Sequence, residues 1–475
     1  MAFIAFDLKG MVVFMEKQAQ PLNKMGTQPV QKLLITMGLP MIISMAVQAI
    51  YNIVDSYFVS KIEGIGDEAM NAMTLAFPVQ MLMVAIGVGT GVGINALLSK
   101  SLGEGDREKA SRIAGNSIFI GLCMFIIFFI FGIFGTKAYV LSQTKDPFIT
   151  DLTSSYLRIC CCFSLGVSMY MTFEKLLQAT GKTMQSTIAQ LAGAVANIIL
   201  DPIMIFGWLG LPKMGIAGAA YATVIGQFIS FFMDAAFHFK YNKAEFSTSL
   251  RYIRPKLKII REIFAVGIPA ILMQALMSFM TYGVNIIFAQ VSAEAVTAYG
   301  VYYKIQQFVF FAAFGMNNAM IPIIGFNYGM GSSKRVKDGI KYGMIYTIAI
   351  MMIGAVGLQI FAQPLINIFT LSDKTHELCI AAIRIITLGY IFVGANIAYQ
   401  GIFQALGKGI HSLVLSAVRL LIAALPAAWI LVQTAQDYIW AAFPFAELLA
   451  FIIALFMMKS VDRKVIKAIP ERETE

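Results

Sequence analysis

Twelve long apolar runs restrict this chain more than any other feature: residues 33–60, 69–98, 113–140, 155–178, 183–206, 215–238, 262–290, 296–325, 339–370, 375–404, 411–433 and 437–459. About 20 apolar residues in a helix cross a ~30 Å hydrocarbon core. In lipid every backbone N–H and C=O must be bonded internally, so a spanning segment is a helix or belongs to a closed barrel. These runs are too long for barrel strands and lack their alternation. The sequence therefore predicts an all-α integral membrane protein with twelve transmembrane helices. Composition agrees: 13% of residues are charged and mean hydropathy is +0.74, against about a quarter charged in a soluble domain. Several runs exceed the spanning length, which predicts tilt, kinks or extension past the lipid.

The net charge of +10 does not point to nucleic acid, because the basic residues sit in alternate connections. They fill "GEGDREKASR", "KYNKAEFSTSLRYIRPKLKIIR", "GSSKRVKDGIK" and "KSVDRKVIK". That is the positive-inside distribution, and it predicts cytoplasmic termini for a multi-pass protein of the plasma (inner) membrane. The expected organisation is a cytoplasmic extension over 1–30, a first lobe over 31–238, a basic cytoplasmic linker over 239–261, a second lobe over 262–459 and a cytoplasmic tail over 460–475. The opening "MAFIAFDLKGMVVFMEK" is interrupted by Asp7 and Lys9 and lacks a small-residue cleavage site, so it reads as an extension rather than a signal peptide. The five cysteines, including Cys160, Cys161 and Cys162, show no metal-ligand spacing and read as small core residues. His238, His376 and His411 form no motif.

The chain is duplicated. "LLQATGKTMQS" at 176–186 matches "IFQALGKGIHS" at 402–412, and Gly103 and Gly105 match Gly329 and Gly331, all 226 positions apart. "MGLPMII" at 37–43 matches "VGIPAIL" at 266–272, 229 apart. Six spans per copy is an even number, so both copies enter the membrane in the same direction and relate by an axis along its normal. The cleft between them is the natural place for a substrate.

Duplication also provides an internal comparison. Asn197 and Asp201 correspond to Ala423 and Ala427, and Glu174 to Gln400. Gln48, Asn52 and Asp55, spaced i, i+4 and i+7 for one helix face, correspond to Met277, Thr281 and Val284. On this reading the acidic groups belong to the first copy alone. A carboxylate inside a span costs at least about 2.5–3.5 kcal/mol, so it normally faces a bundle interior or an aqueous cavity. If Asp55, Glu174 and Asp201 converge, the cluster suits a proton shared among them. With the Asn197 carbonyl, the same oxygens suit Na⁺ at Asp55, Asn197 and Asp201. Two plainer readings stand beside this: Asp201 could serve backbone groups freed by Pro202, and Glu174 could pair with Lys175. Pro40 is a candidate bend, although its counterpart Pro269 points equally to architecture. In the second copy "ILMQALMSFMTYGVNIIF" and "YYKIQQFVFFAAFGMNNAM" offer Met273, Gln274, Met277, Met280, Gln307 and Phe311 as a substrate surface, since sulfur and aromatic faces adapt to cationic ligands.

Together "GLP", "NIVDSYFVS", "QATGK", "NIILDPIMIFG" and "GIAGAAYATVIGQ" resemble the multidrug and toxic compound extrusion (MATE) family over about residues 30 to 460. The resemblance implies a V-shaped two-lobe exporter of a bacterial plasma membrane, working as a monomer. In it, H⁺ or Na⁺ entry drives efflux of small organic cations and drugs, with no other cofactor and no enzymatic step. By the family pattern Asp55, Asn197 and Asp201 match the N-lobe cation site and Pro40 the proline at which the first helix bends. Glu174 falls where some members carry Asn. Members that use a C-lobe site have carboxylates in the seventh or eighth span, which this chain lacks. The alternative is a flippase for a lipid or lipid-linked oligosaccharide, which would want a basic cavity. The intramembrane charges are instead mainly acidic, with Arg384 and Arg419 the main exceptions. A membrane aspartyl protease is the third reading; its paired Tyr-Asp and Gly-x-Gly-Asp signatures are not apparent.

Overall fold

The computed structural model describes residues 23–369 and 371–469, and among them every regular element is helical. Eleven helices are long and apolar enough to cross a membrane, or twelve when one bent pair counts as a single span. In chain order they are α1 (Val30–Ser60), α2 (Gly66–Gly103), α3 (Arg107–Gln143), the bent α4 (Pro147–Cys162 and Leu165–Ala179, 45° apart), α5 (Thr183–Phe206), α6 (Ile216–Tyr241), α7 (Leu257–Phe288), α8 (Ala293–Met330), α9 (Ser333–Ile366), α10 (Asp373–Ala405), α11 (Gly409–Thr434) and α12 (Gln436–Ile466). Residues 1–22 and 470–475, the end of the expected tail, lie outside the described residues. Several helices outrun their apolar blocks. α2 and α8, for example, continue to Gly103 and Met330, because nothing in their polar last turns stops a helix before the glycine that follows.

The two copies share their stop signals as well as their helices. α4 stops two residues before Gly181 (φ +79°) and α10 two before Gly407 (φ +72°). Lys182 N donates to Leu177 O at 2.8 Å and Lys408 N to Phe403 O at 2.7 Å. This six-to-one bond needs a left-handed residue just past the helix, which glycine adopts without a Cβ clash. α4 and α10 also start alike, at Asp146 and Ser372, whose side chains accept from the backbone of the first turn. Both helices then break at matching places, α4 at Phe163 and Ser164 and α10 in a 3-10 turn over Thr387–Gly389.

Lipid is as apolar as leucine, so helices inside it associate through close packing at small residues. Gly38 packs against Met316, Gly315 against Ile42, Gly89 against Ile271 and Gly93 against the Ile263 carbonyl. Gly103 and Gly329 approach the backbone of Phe326 and Lys100 respectively, a reciprocal contact between α2 and α8. All of these lie in the halves of α1, α2, α7 and α8 nearest the basic connections. The other halves carry exposed Ile53, Tyr57, Phe279 and Tyr282. The lobes therefore meet at the basic end and diverge at the opposite one, a V. The basic linker is strapped across the start of α3: Ser247 N donates to Ser111 Oγ at 2.9 Å, Lys256 N to Asn116 Oδ1 at 2.7 Å, and the Tyr252 hydroxyl to Glu108 Oε2 at 2.7 Å. Pro40 sits buried inside α1, which is one continuous helix.

Candidate functional site

Asp55 lies on α1 five residues from its end, Asn197 and Asp201 on α5, and Thr223 on α6. Asn197 Nδ2 donates to Asp201 Oδ1 at 3.2 Å and reaches Thr223 Oγ1 at 3.4 Å. Residues four apart on a helix stand one above the other, so Asn197 is fixed between the carboxylate on its own helix and the hydroxyl across the groove. α5 and α6 approach closely enough for this because Gly193 and Gly226 pack backbone to backbone one turn away. Asp201 is fully buried, and Asp55 lies within electrostatic reach of it. Three buried oxygens in this group, Asp55 Oδ1, Asn197 Oδ1 and Asp201 Oδ2, have no hydrogen-bond partner. A buried polar atom left unpaired in lipid is costly, and three together form the donor set that a proton or a hard cation would satisfy. Only two are carboxylates, and no metal-holding group of three or more His, Cys, Asp or Glu exists among the described residues.

Around Asp55 stand Tyr51, one turn before it, and Tyr156 and Cys160 of α4. Gln80 of α2 donates to the Tyr156 hydroxyl at 3.1 Å. Asn52 does not join them; it is exposed. Gln48 and Asp55 are about 20° apart around a helix, whereas Asn52 is offset by about 40–60° from both, enough to leave the buried face.

Glu174 is elsewhere. Its Oε1 accepts from Gln178 Nε2 at 2.7 Å and lies 3.6 Å from Lys175 Nζ, which itself donates to Gln178 Oε1 at 2.8 Å. The expected convergence of Glu174 with Asp55 and Asp201 is therefore corrected to an intrahelical pair with Lys175. Beside it is Asp234 of α6, fully buried. The rule that picks out Asp201 would also have picked out Asp234, an acid within the sixth apolar run; Thr223, Tyr51 and Tyr156 carry no such signal.

In the second lobe Met273, Gln274, Met277, Met280, Gln307 and Phe311 all line one cavity, with Tyr299, Tyr302, Tyr303, Phe310 and Tyr390 among its other walls. Apolar and aromatic walls with a few convergent polar groups are the character of a small-molecule site. At one end Arg419 Nε bonds Glu447 Oε1, and Glu447 Oε2 accepts from Asn396 Nδ2 at 2.8 Å. Both ionic side chains are largely buried. Glu447 corrects the expectation that intramembrane acids belong to the first copy alone. Arg419 stands in a π-helical turn, Val418–Ala423, 226 positions after Gly193. The point at which two glycines close the first lobe is thus held open in the second by a widened turn and an ion pair.

Known proteins share this architecture. The family model described as MatE matches twice, over residues 40–203 and 269–430, one match in each lobe. Multidrug export protein MepA of Staphylococcus aureus (strain bovine RF122 / ET3-1) is 26% identical over 387 residues, covering 80% of this chain and 83% of that one. A crystal structure of MATE in the straight conformation superposes with a TM-score of 0.87 at 23% identity, covering 94% and 99% of the two chains. An outward-facing multidrug resistance MATE family transporter of the MOP superfamily gives 0.86 at 22%, with the same coverages. With the family model matched once in each lobe over most of the chain, the chain belongs to the MatE family, the MATE transporters its motifs resemble.

Proposed function

We propose that this protein is an H⁺- or Na⁺-coupled antiporter that exports small organic cations and drugs by alternating access. Asp55, Asn197 and Asp201 are its cation site and the second-lobe cavity is a substrate surface. The observation that carries the reading is the three unpartnered buried oxygens of that site, confined to one lobe of a two-lobe molecule that diverges at one end. A cation there neutralises charge that is otherwise stranded in a low-dielectric interior, so its arrival and departure favour different conformations. The aromatic and methionine walls opposite accept flat, cationic molecules through ring faces and sulfur. The names of the MepA relatives support drug export. The Arg419–Glu447 pair leaves the cavity without net positive charge, which disfavours the lipid-phosphate alternative.

The test is ethidium efflux from proteoliposomes with a pH gradient or a Na⁺ gradient imposed separately. One gradient is expected to drive efflux, and Asp55→Asn and Asp201→Asn to lose it while remaining monodisperse. Wild-type rates in both variants would remove the site from coupling.

A further inference from the structure

The first lobe holds a second buried charge group, well separated from the first. Thr223, which touches Asn197, and Asp234 lie eleven residues apart on α6, about 16 Å along the axis. Asp234 is fully buried and neither of its carboxylate oxygens has a hydrogen-bond partner. Glu174 and Lys175 face it from α4, with Lys175 packed along its stem against Gly91 of α2. Tyr170, one turn before Glu174, is within electrostatic reach of Glu174, Asp234 and Tyr51, and Tyr51 is one turn before Asp55. On its other side Asp234 has His238 one turn later on the same helix. Asn242 Nδ2 contacts His238 Nδ1 at 3.0 Å, and Asn242 Oδ1 accepts from Thr180 Oγ1 at 2.8 Å, at the basic end of the lobe. α5, packed along α6, has no charged residue between Lys182 and Asp201. The groups facing Asp234 are thus Glu174, Lys175, Tyr170 and His238, with Tyr51 beyond Tyr170.

We propose that Asp234, with Glu174 and Lys175, is a second proton-binding station on the path of the coupling ion, and hence that the ion is H⁺; this rests on the antiporter reading above. Two carboxylates against one ammonium leave one negative charge, and one proton cancels it. Na⁺ does not suit the place, because the Lys175 ammonium already sits against Glu174 and would repel a metal ion beside Asp234. The proton leaves when the Asp234 O–H bond breaks and an O–H bond forms on a water admitted from the basic end, which departs as hydronium and restores the carboxylate. His238, whose Nδ1 accepts from Asn242 Nδ2, stays neutral throughout.

Infrared spectroscopy of the protein in liposomes tests the station directly. The wild type is expected to show a protonated-carboxyl band near neutral pH that Na⁺ does not shift. One component of the band is expected to disappear in Asp234→Asn and to persist in Asp55→Asn. In the ethidium assay the pH gradient alone should drive wild-type efflux. Asp234→Asn should fall to the level of protein-free liposomes while still binding ethidium, and Asp234→Glu should recover. A band unchanged in Asp234→Asn, a band displaced by Na⁺, efflux driven by Na⁺ at uniform pH, or wild-type transport by Asp234→Asn each overturns the station. If Asp234→Asn does not fold, the response of the wild-type band to Na⁺ decides. If the wild type moves no ethidium under either gradient, the exporter reading fails, and the band still decides whether Asp234 holds a proton.

Discussion

At the scale of single residues, the membrane makes every buried charge informative. The sequence shows which positions bear one, but not what each one faces. Asp201 and Asn197 were legible because an acid and an amide stand one turn apart in an otherwise apolar run, and helix geometry alone joins them. Glu174 was legible as a charge and not as a partner, because α4 buries nearly every side chain of its second half, so no apolar stripe fixes its rotation. The Arg419–Glu447 pair gives a prediction at this scale. Removing one partner of a buried ion pair strands the other and costs about 3–5 kcal/mol, whereas replacing both with uncharged groups of similar volume is often near neutral. Arg419→Ala should therefore lower the thermal unfolding midpoint strongly, and Arg419→Met with Glu447→Gln should recover most of the loss in scanning fluorimetry. Equal losses in the single and double variants would mean that the pair itself supplies the stability.

At the scale of elements, the twelve spans and their duplication were readable from apolar length and matched glycine stops, since both are local. The π turn in α11 and the break in α4 were not, because each depends on what packs beside the helix. The paired Gly193 and Gly226 show how an element sets a site. A Cβ at Gly193 would collide with Ser230 Oγ and the Gly226 carbonyl. Gly193→Val is therefore expected to destabilise by about 1–3 kcal/mol through overpacking and, by pushing α5 off α6, to part Asn197 from Thr223 and impair efflux. Gly357 of α9 has nothing within 4 Å of such a Cβ, so Gly357→Ala should stabilise by roughly 0.8–1 kcal/mol and leave efflux intact. The linker supplies a pH-dependent case outside the membrane. The Tyr252 hydroxyl beside Glu108, helped by Arg112 and Arg251, holds that carboxyl below its ordinary value of 4.5. A depressed carboxylate stabilises above its unfolded pKa, and that contribution is lost as pH falls through the folded one. Amide hydrogen exchange across residues 245–256, corrected for its intrinsic pH dependence, should thus accelerate below about pH 4.5 in the wild type. In Tyr252→Phe it should already be faster at neutral pH and change less on acidification.

At the scale of the whole molecule, an exporter that alternates must part its lobes at the basic end, where they now meet, and a short segment ahead of α1 ties that end. Asn23 Nδ2 donates to Glu245 Oε1 at 2.9 Å and to Thr180 O at 3.2 Å on the first lobe. On the second, Arg335 Nη2 donates to Met25 O at 2.9 Å and Gln28 O at 2.7 Å, Asn327 Nδ2 donates to Met25 O at 3.1 Å, and Arg335 Nε is held by Asn327 Oδ1 at 2.7 Å. Met25 between them is fully buried. These bonds span both lobes only while the lobes touch, so they favour the state closed at the basic end and oppose the opening that takes up substrate from that side. Hydrogen bonds from a charged donor contribute about 1.5–3 kcal/mol each, and every 1.4 kcal/mol is a factor of ten in an equilibrium. Arg335 gives two such bonds, about 3–6 kcal/mol together, so Arg335→Ala should shift the ratio of the two states by about two to four orders of magnitude towards the one open at the basic end. Spin labels at exposed Lys243 and Lys334, in a cysteine-depleted background, should show the longer inter-lobe distance gaining population in this variant, with Asn23→Ala moving the same way by less. An unchanged distance distribution in Arg335→Ala would place the energetic barrier in the glycine seam of α2 and α8, where Gly329→Ala should then be the variant that opens the lobes.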